Sequence, residues 1–258
     1  MKKQLIALVF ALVPSVVLGA ASSVPLEEAN IDLRDKASLQ DGARTFVNYC
    51  MGCHSAQYQR YERVATDLDI PPELMMENLV FPESALIGDH MKIGMRPEDS
   101  KRWFGAAPPD LTNVTRVRGE DWVYTYLKTF YEDPSRPLGV NNKVFKDVGM
   151  PHVLLELQGM QECAMGPVAA HNGGVKRDPL TGEDMLEDPC GRFTIAEAGQ
   201  MTPEEFDTAM YDLVNFLAYT AEPMAADRQR IGTFVLLFIA LFFVFAWLLN
   251  REYWKDVH

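Results

Sequence analysis

Cys50, Cys53 and His54 stand in the stretch NYCMGCHSAQY, residues 48–58, and three chemistries use that spacing. Two thiols beside an imidazole can attach a haem, exchange a disulfide, or contribute ligands to zinc. Zinc is disfavoured by the remaining cysteines, since Cys163 and Cys190 are neither close together nor followed by histidine ligands. Thiol redox chemistry asks for a strand before the pair and a helix N-terminus beneath it, because that helix end lowers the thiol pKa. Here the pair follows an amphipathic pattern instead. In SLQDGARTFVNYC, Leu39, Phe46, Val47 and Cys50 fall near one face at helical spacing, so the motif closes a helix. Haem c fits this placement: the thiols reach the two vinyl groups of one porphyrin edge and His54 turns its imidazole to the iron.

Haem c is attached outside the bacterial cytoplasm, and both ends of the chain agree with export. MKKQLIALVFALVPSVVLGAASS reads as a leader over residues 1–21, with Lys2 and Lys3 first, an apolar run broken by Pro14, and small residues at Ala20 and Ala21 for cleavage. From Ile231 to Leu249 there is no charge. A helix there covers ~28 Å at about 1.5 Å per residue, close to the roughly 30 Å hydrocarbon core. Tyr253 and Trp254 suit the interface that follows. Arg228 and Arg230 before the span, and Arg251 and Lys255 after it, do not orient it. The leader does: residues 22–226 form one periplasmic domain, 227–250 the inner-membrane anchor, and 251–258 a short cytoplasmic tail.

The net charge is −12, and loss of Lys2 and Lys3 with the leader leaves about −14. Such acidity excludes nucleic acid, which needs a basic face, and suits steering of a basic partner. Iron held by His54 needs a second axial ligand from a non-helical segment downstream. Met150, between Gly149 and Pro151, is placed for this because proline biases the residue before it away from helix. His152, His90, Met91, Met95 and Met160 are rivals. Cys163 and Cys190 bracket a Gly/Pro/Asp-rich segment with the composition of a surface loop, in which His171 is a solvated residue; export favours a disulfide closing it. Beyond it, Thr202, Pro203 and Glu205 form an N-cap, N1 and capping-box set, followed by an apolar stripe of Phe206, Met210, Leu213, Val214 and Leu217. Only AEPMAADRQR then separates this core-facing helix from the anchor.

These features together resemble the cytochrome c1 family, the haem subunit of the bacterial cytochrome bc1 complex. The resemblance rests on CMGCHSAQY, on GAAPPDLTNVTRVRGEDWVYTYL from Gly105 to Leu127, on GMPH around Met150, and on the C-terminal helix running through AEP into one span. It implies a mainly α, cytochrome c-type haem domain with a single C-terminal transmembrane helix, and one haem c held through Cys50 and Cys53. His54 would be the proximal ligand and Met150 the distal one. Arg118, with Arg116 second, would neutralise a haem propionate, and Trp122 would stand near it or simply pack in the core. The implied function is electron transfer without bond-making residues, from a Rieske iron–sulfur protein to a soluble or membrane-attached cytochrome c. Cytochrome b would be its membrane neighbour, in a dimeric quinol–cytochrome c reductase. A stand-alone membrane-tethered monohaem cytochrome is the alternative reading, and an exported thiol-disulfide enzyme a third.

Overall fold

The computed structural model describes residues 24–167, 177–182 and 186–255. The expected leader and His171 lie outside them. Among the described residues the chain is mainly helical, as expected, with three antiparallel ribbons between the helices. Helix α1 (Lys36–Thr45) is capped by Asp35, whose carboxylate accepts the Ser38 amide, and passes through a π-helical turn, Phe46–Cys50, into the CMGCH motif. Strand β1 (Ala56–Arg60) follows and pairs with β2 (His90–Met91), with α2 (Tyr61–Asp67) and α3 (Pro72–Asn78) between them. Next come α4 (Pro97–Phe104), α5 (Val114–Arg118) and α6 (Glu120–Lys128). A ribbon of β3 (Phe130–Glu132) and β4 (Val140–Asn142) leads through a loop to the short α7 (Leu155–Gln158). Strands β5 (Gly159–Pro167) and β6 (Leu186–Ala198) then pair with each other.

Helix α8 (Pro203–Ala221) carries the expected capping box, with Thr202 Oγ1 accepting from the Glu205 amide and the Glu205 carboxylate accepting from the Thr202 amide. Its whole apolar stripe is buried, against α1, α5 and α6. The crossing with α1 is close. A Cβ on Gly42 would lie 2.0 Å from the Asp212 carbonyl oxygen and 2.7 Å from Phe216 Cβ, so only glycine lets the backbones meet there. Beside it the Phe46 and Phe216 rings sit 5.6 Å apart.

One expectation needs correction. The segment between Cys163 and Cys190 is not loop throughout: both ends are strand, and the disulfide joins Cα atoms 4.5 Å apart within the β5–β6 ribbon. Turn-forming composition marked the tip, while strand pairing depends on partners distant in sequence. Gly166 and Gly191 face each other so closely that a Cβ on Gly166 would fall 2.3 Å from Gly191 Cα. The anchor helix α9 (Ala225–Tyr253) includes most of the AEPMAADRQR stretch. Only Glu222–Met224 interrupts the two helices, because Pro223 disfavours helix at Glu222, which has φ −153°. The apolar length of α9 is exposed, as a membrane span requires.

Lys128 fastens the N-terminal segment to this frame through ion pairs with Glu27 and Asp207, and Tyr124 donates to Asp207 at 2.7 Å. Burial pushes the Asp207 carboxyl up, but the hydrogen bonds from Lys128 and Tyr124 outweigh it and hold the group below its ordinary value. A depressed carboxyl stabilises the fold above its unfolded pKa, about 3.9, and that contribution is lost as pH falls through the folded value. The denaturant midpoint should therefore fall on acidification below about pH 4, and fall less steeply in Asp207→Asn. Gly42→Ala should cost about 2 kcal/mol or more by overpacking, seen as a melting temperature lower by roughly 4–8 °C; an unchanged melting temperature would mean that the helices separate freely.

Candidate functional site

Cys50 ends the π-helical turn, and its carbonyl accepts from the Cys53 and His54 amides at 3.1 and 2.9 Å. Both thiols are free, so one tight turn carries two thiols and an imidazole. Burial, and after it the neighbouring Cys53, pushes the Cys50 thiol up to about 12. A redox nucleophile needs the opposite shift.

His54 Nδ1 lies 2.7 Å from the Pro109 carbonyl oxygen. A carbonyl only accepts, so Nδ1 carries the proton and the Nε2 lone pair is left for a metal. Burial lowers the His54 pKa against the pull of the Pro109 carbonyl and the Asp110 charge, which keeps the ring neutral near pH 7. The segment that supplies this carbonyl is clamped along the chain after the motif. Leu111 N donates to Ser55 O at 2.9 Å, and Asp110 accepts from the Gln57 amide at 2.8 Å and the Thr112 amide at 3.0 Å. Thr112 Oγ1 accepts from the Tyr58 amide at 3.4 Å.

Met150 sits in a bend, half-buried, against a second small core of Phe130, Val140 and Val148. The Tyr126 hydroxyl donates to its Sδ at 3.3 Å. Tyr126 packs on both this cluster and the main core, so it bridges the two. Its ring stacks on Trp122, 5.1 Å away and 9° from parallel, and the Arg118 guanidinium lies 5.0 Å from the Trp122 ring on α5–α6. Arg118 is also 5.9 Å from the Phe145 ring. Arg116 is exposed on the same short helix, with no such stacking among the described residues. Among the rivals, Met91 is fully buried in the main core and His90 pairs with Arg60 on the β1–β2 ribbon. Met160 touches the same Phe130 cluster as Met150. His152 stacks on Phe130 at 5.0 Å, and burial lowers its pKa to about 4 although Gly159 and Gln158 pull the other way.

A cytochrome c1 of Allochromatium vinosum is 49% identical over 258 residues, covering 100% of both chains. The chain belongs to the cytochrome c1 family. The Cytochrome C1 family model matches residues 194–257, and a cytochrome c1 of Rhodospirillum rubrum is 23% identical across 86% of this chain and 83% of its own. A protein named ammonia monooxygenase gamma subunit from Nitrosomonas europaea is 39% identical across 96% of this chain and 95% of its own.

Membership makes the chain an electron-transfer haem subunit of a bc1 complex, with a covalently bound c-type haem. The donor set fits that group. Two thiols and a neutral imidazole with Nε2 free of the proton, all on one turn, are groups by which a chain can hold a haem c, and the Met150 thioether accepts from a hydroxyl elsewhere in the fold. The structure brings Arg118 and Trp122 together and joins both, through Tyr126, to Met150. Sequence reasoning missed Pro109, Asp110 and Tyr126 as positioning residues. The signal for Tyr126 was present in the four-residue spacing of Arg118, Trp122, Tyr126 and Phe130. Asp110→Ala removes the acceptor of two backbone amides and should cost about 1–3 kcal/mol. Thermal melting with the haem-to-protein ratio measures it, and a variant matching the parent on both would show the clamp to be dispensable.

Proposed function

We propose that this chain accepts electrons from a Rieske iron–sulfur protein and passes them to a soluble or membrane-attached cytochrome c, beside cytochrome b in a dimeric complex. Residues 22–226 form its periplasmic haem domain, 227–250 its anchor in the inner membrane, and 251–258 a cytoplasmic tail, once residues 1–21 have been removed. The observation that carries this reading is the His54 to Pro109 hydrogen bond within a turn bearing Cys50 and Cys53, in a chain of this family.

Cys50 and Cys53 would hold the one haem c by thioethers, and His54 Nε2 and Met150 Sδ would ligate its iron. The haem supplies reversible one-electron chemistry. Arg118 would pair with a propionate, a match of guanidinium to carboxylate, with Trp122 holding the guanidinium in place and Arg116 as a second cation. The apolar groups of Phe130, Val140 and Val148 pack against one side of Met150. Imidazole and thioether ligation, with burial, gives a comparatively high potential.

Alkaline pyridine spectra of the denatured protein should show haem that acid acetone does not extract, and Cys50→Ser with Cys53→Ser should abolish it. Met150→Leu should remove the sulfur-to-iron charge-transfer band of the ferric form and lower the potential; a band that persists would assign the ligand elsewhere. Co-purification with a di-haem cytochrome b and a Rieske protein should accompany these results, and purification of the intact chain without either would favour a stand-alone shuttle.

A further inference from the structure

Tyr126 points its hydroxyl at one atom, the Met150 Sδ, 3.3 Å away. A thioether sulfur has two lone pairs and is a weak hydrogen-bond acceptor. One pair can serve a metal while the other accepts from Tyr126. We propose that Tyr126 tunes the donor strength of Met150 through this hydrogen bond and so raises the potential of the site. The proposal rests on the reading of Met150 as an axial ligand.

The argument is electrostatic. A hydrogen bond donated to sulfur draws electron density from it and weakens it as a donor. Ferric iron, the harder and more electron-poor state, loses more from a weaker donor than ferrous iron does, so the reduced state is favoured. Holding such a bond requires a hydroxyl that cannot turn away, and this ring is held on several sides. Trp122 stacks on it nearly parallel at 5.1 Å, and Phe130 meets it edge-on at 5.2 Å and 72°. Its backbone carbonyl accepts from Asn142 Nδ2 at 2.8 Å, which ties the end of α6 to β4. Asn142 is 1% exposed, and its own Oδ1 accepts from the Val144 and Phe145 amides at 2.9 and 3.1 Å, so the same residue shapes the loop leading to Met150. Tyr126 and Met150 are thus positioned from one anchor point.

Tyr126→Phe keeps the stacked ring and deletes the bond, so it separates tuning from packing. The measurements are made on the membrane-embedded holoprotein: the potential, the sulfur-to-iron band of the ferric form, and displacement of the methionine by added imidazole. The expected result is a fall in the ferrous-to-ferric ratio of about tenfold at fixed ambient potential, equal to ~59 mV for one electron. The band should be retained, and imidazole should displace the methionine less readily, because an unbonded thioether is the better donor. An unchanged potential would overturn the proposal. A lower potential accompanied by easier displacement would also overturn it, since loosened packing weakens the ligand in both respects. Met150→Leu in parallel tests the ligation itself: if the parent lacks the band or Met150→Leu keeps it, the ligand assignment fails and the tuning role falls with it.

Discussion

One hydrogen bond constrains much of this structure, the one from His54 Nδ1 to the Pro109 carbonyl. An imidazole can offer a metal a single lone pair in a single direction only if its other nitrogen is committed as a donor. The acceptor must not rotate, and a backbone carbonyl is the least mobile acceptor a chain can supply. Its own segment must then be immobile, which explains the ladder of bonds joining Ser55, Gln57 and Tyr58 to Leu111, Asp110 and Thr112. Residues following the motif and residues of the PPDLT block therefore act as one rigid piece, although neither forms a regular sheet with the other.

That rigid piece extends to the other half of the site. Thr112 leads into α5 and α6, which carry Arg118, Trp122 and Tyr126 at four-residue intervals. Gly119, with φ +92°, breaks the helix between the first two without disturbing the stripe, and so allows Arg118 to fold back over Trp122. Met150 then contacts the end of the stripe. It does so from a small second core that would be weak alone, since three buried side chains cannot offset the entropy of ordering a long loop. The β5–β6 ribbon supports it: Gln161 Nε2 donates to the Lys128 and Phe130 carbonyls, both at 2.9 Å, and Tyr131 meets Phe193 at 6.2 Å.

The parts legible from sequence were those governed by local rules. The capping box at Thr202 and Glu205, the buried stripe of α8, the helix before Cys50 and the uncharged stretch of α9 each depend on neighbours within a few turns. The spacing of Cys50, Cys53 and His54 was legible for the same reason. Asp110 looked like an ordinary loop carboxylate because its partners, the Gln57 and Thr112 amides, lie partly across a long chain separation. Tyr126 looked like one more aromatic on an amphipathic helix, since its sulfur partner is on another segment. The segment between Cys163 and Cys190 reads as loop because turn-forming residues outweigh strand propensity wherever the pairing partner is unknown.

The join between domain and anchor follows from the same economy of rigid contacts. Gln59, on the strand just after the haem motif, donates to the Thr220 carbonyl at 2.6 Å, and Thr115 donates to Leu217 at 3.3 Å. Tyr219 donates to Asp67 at 2.8 Å, and Arg63 contacts both Asp67 and the Met224 sulfur. The last turns of α8 are therefore bonded to the elements on either side of the site, and only three residues separate them from α9. A swinging linker would need unpaired backbone and a longer break. Here side chains within the domain tie the end of α8 to the elements around the candidate site.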